Sequence, residues 1–234
     1  MYRVIKLFLT VVIFLGGIIS SGFAQDATAL VQKVKAKLDL VNDYQAEGRM
    51  KTNVSFLKVP EALVQVFFRK PDNLKIKNEH GISLVPKGAV SISLNNILKG
   101  SFTALDAGSE LVDGKKMRVV KLLPADDNSD IVLSTVYIDE GRLLIVKAKT
   151  TTRENGSYEV ALFYGKYAAY ALPDKVEFTF AAKDYTLPKG ITFDYDDGST
   201  KKKTSATDDK KGRVEIRYDS YIINKGLPDS VFKS

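Results

Sequence analysis

The chain has no cysteine, no tryptophan and a single histidine in 234 residues. Without thiols it cannot form disulfides, use a thiolate nucleophile or build a cysteine-based metal site. A chain of this length does not depend on such cross-links, because it can bury enough of its own apolar surface to be stable. We therefore look for a fold that is stabilised by its hydrophobic core.

The scarcity of histidine also argues against most hydrolytic mechanisms. His80 lies in a polar turn, and no G-x-S-x-G motif accompanies it. The aspartate-rich run at 126–130 starts like a calcium loop, but Ile131 stands where that loop needs glycine and Tyr137 where it needs glutamate. A hairpin turn explains the acidic stretch at 194–197 more simply than a cation site does. We predict no catalytic residue, no metal site and no cofactor.

Residues 1–24 have the three-part order of a secretory leader. Two basic residues precede an apolar run from Leu7 to Ile19, and small residues follow up to Ala24. The apolar run is shorter than the roughly 18 to 20 residues that span a bilayer, so we expect cleavage near Ala24 or Gln25. No cysteine is available for the acyl chains that anchor bacterial lipoproteins. We expect a soluble periplasmic protein.

Positive charge is in excess but scattered. The chain has 35 basic and 28 acidic residues, a net charge of +7. The lysines at 201–203 and 210–211 fall within residues 196–212, a polar stretch that we predict to be a mobile hairpin loop. Asp208 and Asp209 interrupt them, and no aromatic residues are interleaved for base stacking, so we exclude nucleic acid as a partner. Transient contact with anionic lipid headgroups stays open.

The hydrophobic pattern changes from helical to alternating near residue 41. Apolar residues in 26–41 recur at helical spacing and predict one amphipathic helix, and a shorter helix or turn is predicted at 94–100. Elsewhere apolar and polar residues alternate, which is typical of half-buried strands. The stronger strand patterns lie at 44–52, 64–68, 74–76, 102–105, 117–123, 131–139, 143–152, 158–164, 176–180, 191–195 and 214–218, and shorter apolar runs at 82–85 and 90–92.

These elements predict a single domain over residues 25–234. We expect a mainly β fold, an incomplete and strongly curved antiparallel β-barrel of about eleven strands capped by one long N-terminal helix and a short helix. A sheet of this many strands, curled on itself, leaves interior space. Since the inward positions are almost all apolar, that space should select an apolar ligand.

The sequence resembles the outer-membrane lipoprotein-sorting family, which includes the periplasmic lipoprotein carriers. The similar features are the leader, the helix end at 38–41 before an alternating strand, the basic-proline step at 69–75 and the terminal segment 218–232. The resemblance implies an open barrel whose apolar cavity receives acyl chains. The chain departs from the family in its extended C-terminal hairpin. Arg49 lies in a strand that corresponds to one with a functional arginine in that family. Because the alternation places Arg49 on the polar face of the strand, we do not assign it that role.

The apolar positions of the predicted strands and of the short helix give twelve candidate cavity residues. The apolar face of the long helix gives three candidate lid residues. The lid candidates lie on the apolar face of the long helix and are Leu30, Val34 and Leu38. The cavity candidates are Val64, Val66, Phe68, Leu74, Ile76, Ile92, Leu94, Ile97, Val160, Leu162, Phe178 and Phe180. A register error of one residue would invert any strand.

Two functions are compatible with this sequence. The first is a periplasmic carrier that binds lipoprotein acyl chains, or lipid, and moves them from an inner-membrane donor protein to an outer-membrane acceptor. The alternative is an envelope sensor or assembly factor that binds lipid or protein with the same sheet. For either function we expect a monomer and no enzymatic activity.

Overall fold

A computed structural model describes residues 22–54, 57–58, 60–71, 73–78, 94–98, 100–154, 156–181 and 211–233. In this part of the chain the fold is mainly β, with two α-helices and two 3₁₀ turns. The helices are α1 (Gly22–Leu38) and α2 (Leu94–Ile97), and the 3₁₀ turns are Ala168–Tyr170 and Asp229–Val231. The strands are β1 (Asp43–Val54), β2 (Leu57–Lys58), β3 (Ala62–Arg69), β4 (Asn73–Asn78), β5 (Phe102–Val112), β6 (Lys115–Pro124), β7 (Ile131–Asp139), β8 (Leu144–Thr152), β9 (Ser157–Phe163), β10 (Lys175–Ala181) and β11 (Lys211–Ile223).

Ten of the described strands form one antiparallel sheet. Its order is β4-β3-β1-β11-β10-β9-β8-β7-β6-β5, and the short β2 pairs only with β1. The sheet is strongly curved, but its two end strands, β4 and β5, do not pair with each other in the described residues, so the barrel is not closed. The predicted incomplete barrel is confirmed.

Strand β5 runs to Val112, well beyond the predicted end at Leu105. Its continuation is fixed by a two-residue hairpin, because Asp113 and Gly114 both have positive φ, 50° and 75°. Asp-Gly is the sequence typical of such tight turns, whose twist matches that of the flanking strands. We missed the extension because residues 107–111 do not alternate in polarity, and β5 is irregular between Asp106 and Ser109.

Helix α1 covers the β5 end of the curved sheet. It packs against β5, and its Ala27, Val31 and Val34 are each about 1% exposed, within the same core cluster as inward residues of β5 to β8. Arg118 of β6 holds the helix through an ion pair with Asp26 (3.3 Å). The helix begins at Gly22 and ends at Leu38, earlier at both ends than the predicted 26–41.

Some predicted elements lie outside the described residues. These are the strands at 82–85, 90–92 and 191–195, the turn with His80, and positions 196–210 of the predicted loop. The loop boundary at 212 was wrong, because Lys211 and Gly212 belong to β11 and pair with β10. Gly212 faces the ring of Phe180, which a Cβ atom would overlap. Without an apolar side chain, this start of the strand has no hydrophobic signature.

A β-bulge in β11 sets which of its residues face the interior. The register against β1 shifts next to Gly48, so that Gly48 pairs with Tyr218 while Ala46 pairs with Tyr221. An extra residue in one strand re-aims the side chains that follow it. Tyr218 and Tyr221 therefore both face inward although they are three positions apart. A Cβ atom at Gly48 would overlap the backbone carbonyl of Arg217, so the bulge requires glycine at this position.

Replacing Gly48 with Ala is expected to lower the free energy of unfolding by roughly 1–3 kcal/mol, because the added methyl group meets backbone that cannot move aside. Urea unfolding should show a lower midpoint. Gly141→Ala is the matched control, since a Cβ atom there makes only an ordinary 3.6 Å contact with Asp139. Equal midpoints for the two variants would contradict the steric explanation.

The basic-proline step anchors two distant parts of the chain. The Arg69 guanidinium pairs with Asp229 (2.7 Å), donates to the Leu227 carbonyl (2.9 Å) and lies 4.9 Å from the centre of the Phe232 ring. Lys70 donates to the Asp39 carbonyl (2.6 Å) at the end of α1. The two basic residues thus bind the C-terminal segment and the helix end to β3.

Arg69→Leu is expected to loosen the C-terminal segment 227–233, because one side chain makes three contacts with it. Since these contacts are partly exposed, we expect a loss of roughly 1 kcal/mol, seen as about fivefold faster hydrogen exchange at Val231 and Phe232. Arg49→Leu is the control, because Arg49 makes only an exposed pair with Asp219 at 3.7 Å. Unchanged exchange in Arg69→Leu would show that other contacts hold the segment.

Candidate functional site

A cavity lies against the strands at the other side of the sheet. It is partly open, and the space in it and at its mouth together is about 990 Å³, open solvent included. The described residues that line it come from β1, β3, β4, β9, β10 and β11, from the ends of α1 and α2, and from the loop before β10. Fifteen are aliphatic, proline or phenylalanine side chains and three are tyrosines, so no charged side chain is among them.

Eight of the twelve predicted cavity residues lie together in this wall. They are Val66, Phe68, Leu74, Ile76, Leu94, Val160, Leu162 and Phe178. Val64, Ile97 and Phe180 face the interior but are buried in the core cluster instead of lining the cavity. Phe180 packs against Phe178, with ring centres 5.4 Å apart. Ile92 lies outside the described residues.

The predicted lid residues divide between the core and the cavity. Val34 is buried against the sheet, and Leu30 packs partly buried beside it. Only Leu38, in the last turn of α1, lines the cavity. A lid movement would therefore involve the end of α1 and Leu94 of α2, whereas Ala27, Val31 and Val34 fix the preceding turns of α1 in the core. The lid role stays a prediction.

Sequence reasoning missed nine of the lining residues. Five of them lie at apolar positions of predicted strands, where the alternation already indicated an inward side chain. These are Tyr44, Val176, Val214, Ile216 and Tyr218. Tyr221 could not be found by alternation because the bulge precedes it. The remaining three, Ala171, Leu172 and Pro173, belong to a loop that follows a 3₁₀ turn and enters the interior.

Aromatic rings form a continuous surface at one end of the cavity. Tyr44 stacks on Phe68 (5.3 Å between ring centres) and meets Tyr221 edge to face (5.4 Å). Tyr218 and Tyr167 also contact Tyr221, at 5.1 and 4.9 Å. Such pairs add to the stabilisation from burial alone. Tyr221 is the centre of this cluster.

Burial raises the pKa of the tyrosines in and around this cluster. The pKa of Tyr44 lies well above its usual range, and the neighbouring Tyr218 adds to the shift that burial causes. Burial likewise raises the pKa of Tyr218 and of Tyr221, whose hydroxyl donates to the Pro173 carbonyl (2.7 Å). All three are therefore neutral hydrogen-bond donors at physiological pH.

The described residues offer neither a metal site nor a membrane-spanning helix. No three acidic, histidine or cysteine side chains there converge in a way that could hold a metal ion. None of the described helices has the length and hydrophobicity needed to cross a membrane.

Comparison with known proteins identifies the fold. No family model matches the chain, and no curated protein matches it in sequence. Among solved structures, it is similar to a domain assigned to outer-membrane lipoprotein sorting from Vibrio parahaemolyticus, with a TM-score of 0.58, 12% identity, and 89% of this chain and 97% of that chain covered. A LolA-superfamily protein from Nitrosomonas europaea matches with a TM-score of 0.52, 12% identity, and coverage of 87% and 97%.

A third similar structure is a DUF1329-family protein from Desulfovibrio piger, with a TM-score of 0.56, 11% identity, and coverage of 90% and 97%. All three matches extend over nearly the whole of the other chain at low identity, so they define the fold and not the ligand. The protein therefore shares its fold with these three structures. The resemblance predicted from the sequence is confirmed at this level.

Proposed function

We propose that the protein is a periplasmic carrier that binds the acyl chains of a lipoprotein in its apolar cavity and transfers them between membranes. The observation that carries the proposal is a cavity whose described lining residues include no charged side chain. The fold shared with proteins named for lipoprotein sorting supports it, and so does the leader-like sequence of residues 1–24.

Binding would draw its free energy from acyl CH₂ groups, at roughly 0.8 kcal/mol for each one buried. A carrier must recover that energy at delivery, so burial has to be incomplete or reversible. The cavity is partly open, and two short elements, the end of α1 with Leu38 and α2 with Leu94, contribute to its wall. Movement of these elements would admit and release the ligand. An inner-membrane donor and an outer-membrane acceptor protein are the partners that this cycle requires.

The test is purification of the protein from a bacterial envelope, followed by native mass spectrometry. The carrier function predicts co-purifying lipoprotein or lipid, and transfer of a fluorescent diacylated peptide from donor to acceptor vesicles when the protein is added. Protein that is always empty and does not take up the diacylated peptide would refute the proposal. Specific capture of one protein partner that does not depend on acyl chains would favour an envelope sensor or assembly factor instead.

A further inference from the structure

Two hydroxyl groups in the apolar cavity wall have no hydrogen-bond partner among the described residues. The Tyr221 hydroxyl is bound to the Pro173 carbonyl, but within the described part of the chain neither Tyr44 nor Tyr218 makes a hydrogen bond through its hydroxyl. Among described side chains, the unpaired polar atoms that are fully enclosed are Thr52 Oγ1 and Arg118 Nε. Within the described residues the Tyr44 and Tyr218 oxygens are therefore unpaired but not fully enclosed.

These two tyrosines lie on neighbouring strands and share Tyr221 as a ring neighbour. Tyr44 is on β1 and Tyr218 on β11, and both rings contact Tyr221, with centres 5.4 and 5.1 Å from it. The β-bulge beside Gly48 produces this arrangement, because without it Tyr218 and Tyr221 could not both face inward. The cavity therefore has an apolar wall with two donors on either side of Tyr221.

The chemistry of the wall defines which acceptor fits these donors. A polar group in an apolar site is stabilised when it gains a hydrogen bond, whereas a charge buried without a counter-charge is costly. No lysine or arginine is among the described lining residues, so a carboxylate or phosphate would lack a cation. The favoured acceptor is a neutral carbonyl oxygen.

We propose that the Tyr44 and Tyr218 hydroxyls donate hydrogen bonds to ester carbonyl oxygens of the bound acyl chains, so that the cavity selects fatty-acyl esters over ethers and free fatty acids. This inference rests on the proposed function, since it presupposes that the cavity holds acyl chains. Free glycerolipids and the lipid-modified N-terminus of a protein share this ester chemistry.

The test compares ester ligands with matched ethers by displacement of a fluorescent acyl reporter. One arm uses free dipalmitoylglycerol and its dihexadecyl ether. The other uses a cysteinyl peptide that carries either the dipalmitoyl ester or the dihexadecyl ether. Palmitic acid serves as the charged ligand. The proteins are the unsubstituted chain, Tyr44→Phe, Tyr218→Phe, the double variant, and Tyr170→Phe, a control at a residue that is 44% exposed and outside the cavity wall.

The unsubstituted protein should bind the ester roughly 25-fold more tightly than the ether, since each of two hydrogen bonds contributes about a factor of five. Palmitic acid should bind more weakly than the ester. The logarithm of the ester-to-ether affinity ratio should fall by about half in each single variant. The ratio should fall to one in the double variant and stay unchanged in Tyr170→Phe. If the double variant does not fold, the single variants decide. Tighter binding in the peptide arm would identify lipid-modified proteins as the source.

Equal binding of ester and ether by the unsubstituted protein, or a preference that survives both Tyr→Phe changes, would overturn this inference while leaving the proposed function intact. Failure to bind any acyl ligand would instead refute the proposed function, and this inference with it.

Discussion

Val176→Trp is expected to reduce the affinity for acyl ligands at least about tenfold. Val176 lies half-buried on β10 between Leu162 of β9 and Ile216 of β11, and all three side chains line the cavity. An indole at this position occupies space that would otherwise accept several methylene groups. Exclusion of two of them costs about 1.6 kcal/mol, which is more than a tenfold change in affinity.

Titration with a diacylated peptide measures this effect, and Val132→Trp is the matched control. Val132 is 47% exposed on β7 and is not part of the cavity wall. The control should bind as the unsubstituted protein does, which separates loss of cavity volume from the general effect of a tryptophan. Both variants should unfold at similar urea concentrations. If Val176→Trp retains full affinity, the acyl chains bind elsewhere.

The second large effect is a loss of stability at alkaline pH. Burial raises the pKa of Tyr44, Tyr164, Tyr218 and Tyr221 above the usual value of 10.0, and the pKa of Tyr158 to about 12. Because the folded pKa values are raised, the folded state retains protons that the unfolded chain has lost above pH 10. The stabilisation is therefore complete below that pH and is lost as the pH rises through the folded pKa values.

Each such tyrosine contributes a slope that approaches about 1.4 kcal/mol per pH unit, so several together make alkaline unfolding steep. Hydrogen bonds add to the effect, because the Tyr221 and Tyr164 hydroxyls donate to the carbonyls of Pro173 (2.7 Å) and Ile145 (2.9 Å) and must remain protonated to do so.

Urea unfolding from pH 9 to 12, combined with tyrosinate absorbance, measures this dependence. The double variant with Tyr44→Phe and Tyr218→Phe should show a shallower decline of stability, because two of the shifted groups are removed. Tyr170→Phe should follow the unsubstituted protein, since Tyr170 is largely exposed. Ionisation of every tyrosine near pH 10 in a protein that stays folded would contradict the prediction.

The alternation of apolar and polar residues predicted most of the sheet, because one face of each strand is buried and the other is exposed to solvent. Strand β7 has the predicted bounds of 131–139, and β8 starts one residue later than predicted. Errors occurred where backbone geometry decides the structure without a hydrophobic signal. Gly212 starts a strand beneath the Phe180 ring, and the irregularity in β5 interrupts the alternation that would have marked its second half.

The candidate site was predictable in composition but not in shape. Strand phase identified apolar inward residues such as Val66 and Phe178, since period-two burial is a local property of the chain. It could not show that Val66 lines the cavity whereas Val64 does not, because both point inward from β3 and both belong to the same buried core. That distinction depends on what lies opposite each residue, and this is known only once the strands and α1 are assembled.

The sequence alone determined that the chain forms a curved antiparallel sheet with an apolar interior, because both follow from the spacing of its side chains. Only the tertiary structure decided where the interior is filled and where it is open. Helix α1 packs against β5, and the cavity lies against β1, β3, β4 and β9 to β11. The pair of Tyr44 and Tyr218 at one end of that cavity depends on a bulge in β11 and a close backbone approach at Gly48. Such contacts join residues that are far apart in the chain, so no local pattern could reveal them.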